Sequence, residues 1–301
     1  RGVGYGKVIL FGEHFVVHNA PAIAVGLDRT SIVEISESNK NQIISKEHKV
    51  VEEMSHKGIQ AVLDSMGITK KYEVHLEGDL PTYGGLGSSA AFCVALTRAL
   101  SEEYGKSLSN EEVNKHAYAG EMAFHGNPSG IDNMMATYRI AMMFRKGDHM
   151  YKDLFEFLEL GVPLHLVISF TGKYSPTTKM VEAVRSFKEQ DEEEFSQLMD
   201  AYMELVVQGR KALEKGKLDV LGKLMNENQS LLSELGVSIE ENDRICELSL
   251  KAGALGAKLT GGGGGGCCIA LARDKVAALG IKKDLEKEGF KSFYSLVENN
   301  G

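Results

Sequence analysis

Two rhythms of apolar spacing organise this chain. Residues 7–11 and 22–27 are short apolar runs and residues 31–36 alternate, so the chain is predicted to open as sheet. Residues 50–66 carry apolar side chains at helical spacing, and residues 72–76 alternate again. A helix is predicted from Phe92 to Tyr104. A second begins after Ser109, where Ser109-Asn110-Glu111-Glu112 reads as a capping box, and reaches about Phe124. The break His125-Gly126-Asn127-Pro128-Ser129-Gly130 then leads into a short helix near Ile131. Further on, a strand at 164–170 precedes helices at 178–188, 192–215, 218–235 and 240–254. A strand at 267–272, a helix at 275–288 and a strand at 290–297 close the chain. Strands first, then clustered helices and returning strands, predict two α+β domains. The acidic stretch 156–162 is the expected junction, giving domains 1–155 and 156–301.

Between the alternating segment at 72–76 and the helix from Phe92 lies Leu80-Pro81-Thr82-Tyr83-Gly84-Gly85-Leu86-Gly87-Ser88-Ser89-Ala90-Ala91. A glycine turn lets backbone N–H groups approach a ligand with no Cβ in the way. The helix that follows adds unpaired N–H groups and the positive end of its dipole, which together favour phosphate. Ser88 and Ser89 place two hydroxyls where a phosphate-bound magnesium ion could use them. A purely structural turn would carry the same glycines, and local pattern leaves both readings open. Gly85, Gly87 and Ala90 also satisfy a dinucleotide fingerprint. That fold needs a parallel strand next and an acid at its end, whereas Glu111 lies in the capping box of a second helix. Neither a Gly-x4-Gly-Lys-Ser/Thr loop nor a protein-kinase His-Arg-Asp signature occurs.

Charge and composition narrow the partners. The chain has 301 residues, 43% hydrophobic and 25% charged, with a formal net charge of −8. That balance argues against nucleic acid or an anionic membrane as partner, and any anionic substrate must be held by local donors. No apolar run reaches the ~18 residues of a membrane span. Cys93, Cys246, Cys267 and Cys268 form neither a metal-ligand nor a disulfide pattern, so buried free thiols in a reducing, cytoplasmic setting are expected. The chain begins with Arg1 rather than Met, which leaves organelle import open.

Other residues add candidate chemistry. The run Gly261 to Gly266 sits between two apolar, strand-like segments, where glycines let strands or a ligand come close. Lys7 and the Glu13-His14 pair flank a short strand and turn. His14-x3-His18 invites a metal reading, but the Phe15-Val16-Val17 between them favours strand, where that spacing makes no zinc-binding face. Glu121 sits near the C-terminal part of its helix and Asp132 in the first turn of the next, where an acid is often a dipole partner. Together, a lysine, two carboxylates, a phosphate loop and hydroxyls supply what phosphoryl transfer requires.

Four blocks of this sequence resemble the GHMP small-molecule kinases, and within them the mevalonate kinase branch. They are Gly6-Lys7-Val8-Ile9-Leu10-Phe11-Gly12-Glu13-His14-Phe15-Val16-Val17-His18, then Pro81 to Ala91, then His125 to Asn133. The last is Lys258-Leu259-Thr260 with the glycine run and Cys267. The usual Ala-Pro before the Gly-Lys pair is replaced, and the usual Gly-Ala-Gly of the last block is all glycine. The resemblance implies a two-domain α+β GHMP kinase fold with ATP and substrate in the cleft between the domains. It implies that Pro81, Gly84, Gly85, Leu86, Gly87, Ser88 and Ser89 bind ATP, and that Ser89 and Glu121 ligate Mg²⁺. It makes Asp132 the base or orienting group and places Lys7 beside the acceptor hydroxyl. Glu13, His14 and Thr178 would line the substrate side. The implied reaction is phosphorylation of mevalonate to 5-phosphomevalonate for isoprenoid synthesis. Phosphomevalonate, homoserine or a sugar as acceptor, and a non-catalytic ligand sensor, are the alternatives; monomer and homodimer are both open.

Overall fold

The computed structural model describes residues 1–45, 50–51, 54–82, 84–126, 128–147 and 153–299. Tyr83 and Asn127, each inside a sequence block named above, lie outside them. The chain forms two compact units that interleave in sequence. One comprises Arg1–Lys7, Gly26–Thr82 and Leu86–Arg139; the other comprises Val8–Val25, Tyr83–Gly85 and Ile140–Gly301. The last crossing therefore falls at Arg139/Ile140 rather than at the single 155/156 boundary read from the sequence.

In the first unit, strands β1 (Gly2–Phe11) and β2 (Ala22–Ser38) contribute their residues up to Lys7 and from Gly26 onward. The alternating part of β2 pairs antiparallel with β5 (Lys71–Gly78), running from Ser31↔Gly78 to Ser38↔Lys71. Two short strands extend this sheet: β3 (Gln42–Ser45) runs parallel to β5, and β4 (Val50–Val51) is antiparallel to β3. The helices α1 (Met54–Ser65), α2 (Ser88–Glu103), α3 (Asn110–His125) and α4 (Ile131–Tyr138) pack against one another. The predicted helix at 50–66 thus loses its start to a strand, because Val50 and Val51 pair with Ile44 and Ile43. The expected capping box is formed: Ser109 N–H donates to Glu112 Oε2 at 2.8 Å and Glu112 N–H donates to Ser109 Oγ at 3.2 Å. After α2 the chain enters α3 and α4 rather than a parallel strand, so the crossover required by a dinucleotide fold is missing there.

In the second unit, residues Ala22 to Val25 of β2 pair with β6 (Ala141–Arg145), which pairs in turn with β7 (Leu154–Leu158). Neither β6 nor β7 was predicted, and β7 occupies part of the expected junction. A four-stranded antiparallel sheet follows, in the order β11 (Lys291–Val297), β8 (Leu164–Phe170), β10 (Cys267–Ala272), β9 (Gly256–Thr260). Strand β9 lies at its edge, and helix α7 (Leu218–Glu234) satisfies that edge with side chains. Asn226 Oδ1 accepts the N–H of Ala257, and Gln229 Oε1 accepts that of Leu259, both at 2.8 Å. Helices α5 (Thr177–Gln190), α6 (Glu192–Glu214), α8 (Glu240–Lys251) and α9 (Lys275–Lys287) complete the unit.

The strand expected at Phe15–Val17 is instead a 3₁₀ turn, Phe15–His18. Gly12, at φ +117°, turns the chain before it, and Asn19, at φ 66°, ends it. Burial of Phe15 drives the turn: its ring stacks on Tyr202 of α6 with centroids 4.1 Å apart. All four cysteines are free and buried, as expected. No helix among the described residues is long and apolar enough to cross a membrane.

Candidate active site

Lys7 is where the first unit concentrates charge. Its side chain is almost wholly buried, at 4% exposure, and its Nζ lies 3.0 Å from Asp132 Oδ1. Two backbone features bring them together. The Lys7 N–H donates to Leu86 O at 3.0 Å, tying β1 to the glycine turn. Asp132 sits in the first turn of α4, which starts behind Gly130 in the left-handed region. Gly87 stands between them. Its φ of +74° suits glycine, and a Cβ there would come within 3.2 Å of Lys7 Cγ and 3.8 Å of Asp132 Cβ. Asp132 keeps 40% of its side chain exposed, so its carboxylate can meet an incoming group while the ammonium is held from below.

The same turn opens α2 with Gly87 at the N-cap and no side-chain cap. Helix geometry leaves the first N–H groups of α2 without intrahelical acceptors, and its dipole puts partial positive charge there. Ser88 and Ser89 are half-buried in that first turn. The Ser89 hydroxyl hydrogen-bonds the Glu121 carboxylate from α3, and its Oγ lies 3.0 Å from His125 Nε2. Glu121 is 2% exposed, and its Oε1 has no hydrogen-bond partner among the described residues. Burial, then repulsion by Asp132, pushes its pKa up to about 7, opposed by the Ser89 hydrogen bond and by Lys7. A buried, orphaned carboxylate oxygen beside a hydroxyl offers two hard oxygen donors, with His125 Nε2 next to them. It fits Mg²⁺, which uses few protein ligands and completes its shell with water and phosphate.

In the second unit the first glycine turn begins against the six-glycine run. A Cβ on Gly84 would stand 2.3 Å from Cys267 Sγ, and one on Gly85 would stand 3.9 Å from Gly261 Cα. Pro81, half-buried, precedes this turn, and Leu86 is buried within it. Glu13 is fully buried and engages the equally buried ammonium of Lys258, which also donates to Leu259 O at 2.7 Å. His14 donates from Nε2 to Gly262 O at 2.8 Å. Burial lowers the His14 pKa against the opposing influence of that hydrogen bond and of Glu13. The ring is therefore neutral at pH 7, and Nδ1 carries a lone pair. That atom and Glu13 Oε2 have no partner among the described residues. Both are acceptors and suit a donor such as a hydroxyl. Thr178 is exposed, near the start of α5.

Sequence reasoning left two contributors without a role. His125 is one helical turn beyond Glu121, with its Nε2 3.8 Å from Glu121 Oε2, a spacing that could have been read. Lys258 was quoted within a motif, but its pairing with Glu13 joins positions 245 residues apart, which no local pattern reveals.

The family model of the GHMP kinases N terminal domain matches residues 51–139, and that of the GHMP kinases C terminal matches residues 210–291. The chain belongs to the GHMP kinase family. It is 34% identical over 299 residues to the mevalonate kinase of Thermococcus sibiricus, covering 89% of this chain and 88% of that one. To the mevalonate kinase of Pyrococcus furiosus it is 33% identical over 304 residues, with the same coverage. Among solved structures, L. major mevalonate kinase in complex with R-mevalonate superposes with a TM-score of 0.90 at 36% identity, covering 100% of this chain and 96% of that one. The Methanococcus jannaschii mevalonate kinase superposes at 0.82 with 26% identity, covering 99% and 98%. The α+β fold is that of the family, and the chain is a small-molecule kinase.

Proposed function

We propose that this chain transfers the γ-phosphoryl group of ATP to the primary hydroxyl of mevalonate, giving 5-phosphomevalonate. The observation that carries this reading is the Lys7–Asp132 pair, 3.0 Å apart and tied to the glycine turn. A primary alcohol is a poor nucleophile at neutral pH. A carboxylate that accepts its proton and a cation that neutralises the developing charge both lower that barrier. Asp132, the more exposed partner, orients the hydroxyl and receives its proton. Lys7 holds Asp132 in place and balances charge on the transferring group. The phosphates of ATP take the N-terminus of α2 and the turn from Pro81 through Gly84, Gly85, Leu86 and Gly87 to Ser88 and Ser89. Glu121 and Ser89 would hold Mg²⁺, which would supply positive charge to offset that of the phosphates.

The acceptor is argued from the second unit and from the relatives. Glu13 Oε2 and His14 Nδ1 are buried acceptors without a partner among the described residues, a chemistry suited to the hydroxyls of an unphosphorylated hydroxy acid and ill-suited to a second phosphate. The relatives named mevalonate kinase point the same way. The test is ADP release from ATP with mevalonate, phosphomevalonate, homoserine and galactose. We expect kcat/KM for mevalonate to exceed the others at least ~100-fold, the discrimination open to a site that hydrogen-bonds its substrate. Nucleotide binding with no ADP release from any of the four would support a ligand sensor instead.

Glu121 gives a pH prediction with a definite sign. Its folded pKa, about 7, lies above the ordinary 4.5. The neutral form is thus favoured by folding, a contribution complete below pH 4.5 and lost as pH rises through about 7. The loss is on the order of 3 kcal/mol. Without metal, urea midpoints should fall across that window, and Glu121→Gln should flatten the fall. Added Mg²⁺ needs the ionised form, so its stabilising effect should grow over the same range. A midpoint indifferent to both pH and the substitution would contradict this.

A further inference from the structure

Six consecutive glycines have no side chains with which to fix their own shape, and in isolation such a stretch is flexible. Here the run is held almost residue by residue. Gly264 N–H donates to Val237 O and Gly266 N–H to Lys173 O, both at 2.8 Å. Thr171 Oγ1 donates to Gly266 O at 3.0 Å, and His14 Nε2 donates to Gly262 O at 2.8 Å. At Gly265 the partner is a single side chain. Asn242 Nδ2 donates to Gly265 O at 3.0 Å, and Gly265 N–H donates to Asn242 Oδ1 at 3.2 Å. One amide thereby does for Gly265 what a neighbouring strand would do.

Asn242 is fitted for that task. It is fully buried, at 0% exposure, in the first turn of α8. Its Oδ1 also accepts the Ile239 N–H at 3.2 Å, and its Nδ2 lies 3.3 Å from Cys268 Sγ on β10. The amide is therefore locked between a helix start, a strand and the loop. Gly265 has φ +112°, so an outside template rather than a side chain of its own must select its conformation. The loop so held is the one whose ends meet Gly84 and Gly85.

We propose that Asn242 is a positioning residue for phosphoryl transfer: by clamping Gly265 it holds the six-glycine run and, through the run's ends, Gly84 and Gly85 of the turn that receives ATP, in place. This rests on the kinase reading above. Hydrogen exchange on the wild-type chain supplies the first test. Amides of residues 263–266 should exchange at least ~10-fold more slowly than in a free glycine peptide; exchange at the free-peptide rate overturns the proposal. Asn242→Ala supplies the second. It should raise KM for ATP about 10-fold, leave KM for mevalonate within about 2-fold, and speed loop exchange. Asn242→Asp keeps the acceptor and loses the donor, so it should fall between the two, and it replaces the alanine variant if that one does not fold. A lower Tm with KM for ATP and loop exchange unchanged would make Asn242 merely structural and overturn the proposal. If the wild type turns over no mevalonate, the kinase reading fails by itself. The loop is then read by ATP calorimetry, where a Kd about 10-fold weaker in the variant supports the clamp and an equal Kd overturns it.

Discussion

Replacing Lys7 with methionine is expected to lower kcat by about 10³-fold, with KM for ATP changed only a few-fold. The ammonium is buried and 3.0 Å from Asp132, so in the proposed mechanism water cannot replace it beside the acceptor oxygen. Methionine keeps the length of the stem, and Asp132 remains 40% exposed and hydrated, so the fold should tolerate the change. Asp132→Asn should cost a similar factor. In the proposed mechanism the two act on one alcohol oxygen, so the double variant should be little slower than either single one. Steady-state rates of the three variants decide this. Losses that multiply would mean that Lys7 and Asp132 serve separate steps.

Lys258→Met should have the largest effect on stability. It strands the Glu13 carboxylate, fully buried and already carrying one unpartnered oxygen, without its cation. Breaking a buried pair in this way costs about 3–5 kcal/mol, a large share of the 5–15 kcal/mol typical of a folded protein. Thermal unfolding should fall by roughly 10 °C. The companion Glu13→Gln/Lys258→Met removes both charges and should recover most of that loss, since a neutral pair carries no such desolvation penalty. A Tm within about 2 °C of wild type for Lys258→Met alone would show that the pair contributes little.

What could be read from the sequence follows from how local each signal is. The capping box at Ser109, the strands 164–170 and 267–272, and the long helices of the second half were legible because period and caps lie within a few residues. The short strands β3, β6 and β7 were not. Residues 141–145 read Ala-Met-Met-Phe-Arg, with no alternation, and become a strand because Ala22 to Val25 of β2 pair with them. Val50 and Val51 fit a helical period and were lost to it, since their strand partners lie in a separate segment.

The candidate site divides the same way. Lys7, Asp132 and Ser89 could be named because each lies inside a compact motif, whereas Glu121 lies outside the four blocks and was named from the family resemblance. The meeting of Lys7 and Asp132 in the first unit depends on the Lys7–Leu86 backbone bond, which joins segments far apart in the sequence, and on the start of α4 at Ile131. Lys258 and Asn242 act through partners 245 and 23 residues away, and neither has a neighbour that marks it. Glu13, expected on the substrate side, spends one carboxylate oxygen on Lys258, and its Oε2 has no partner among the described residues.

The most direct measurement is ³¹P NMR of the purified chain mixed with Mg²⁺, ATP and (R)-mevalonate. A phosphomonoester signal should grow in step with ADP, one for one, and should be absent with Lys7→Met over the same interval. ADP appearing with inorganic phosphate and no phosphomonoester, or an undiminished signal from Lys7→Met, would contradict the account.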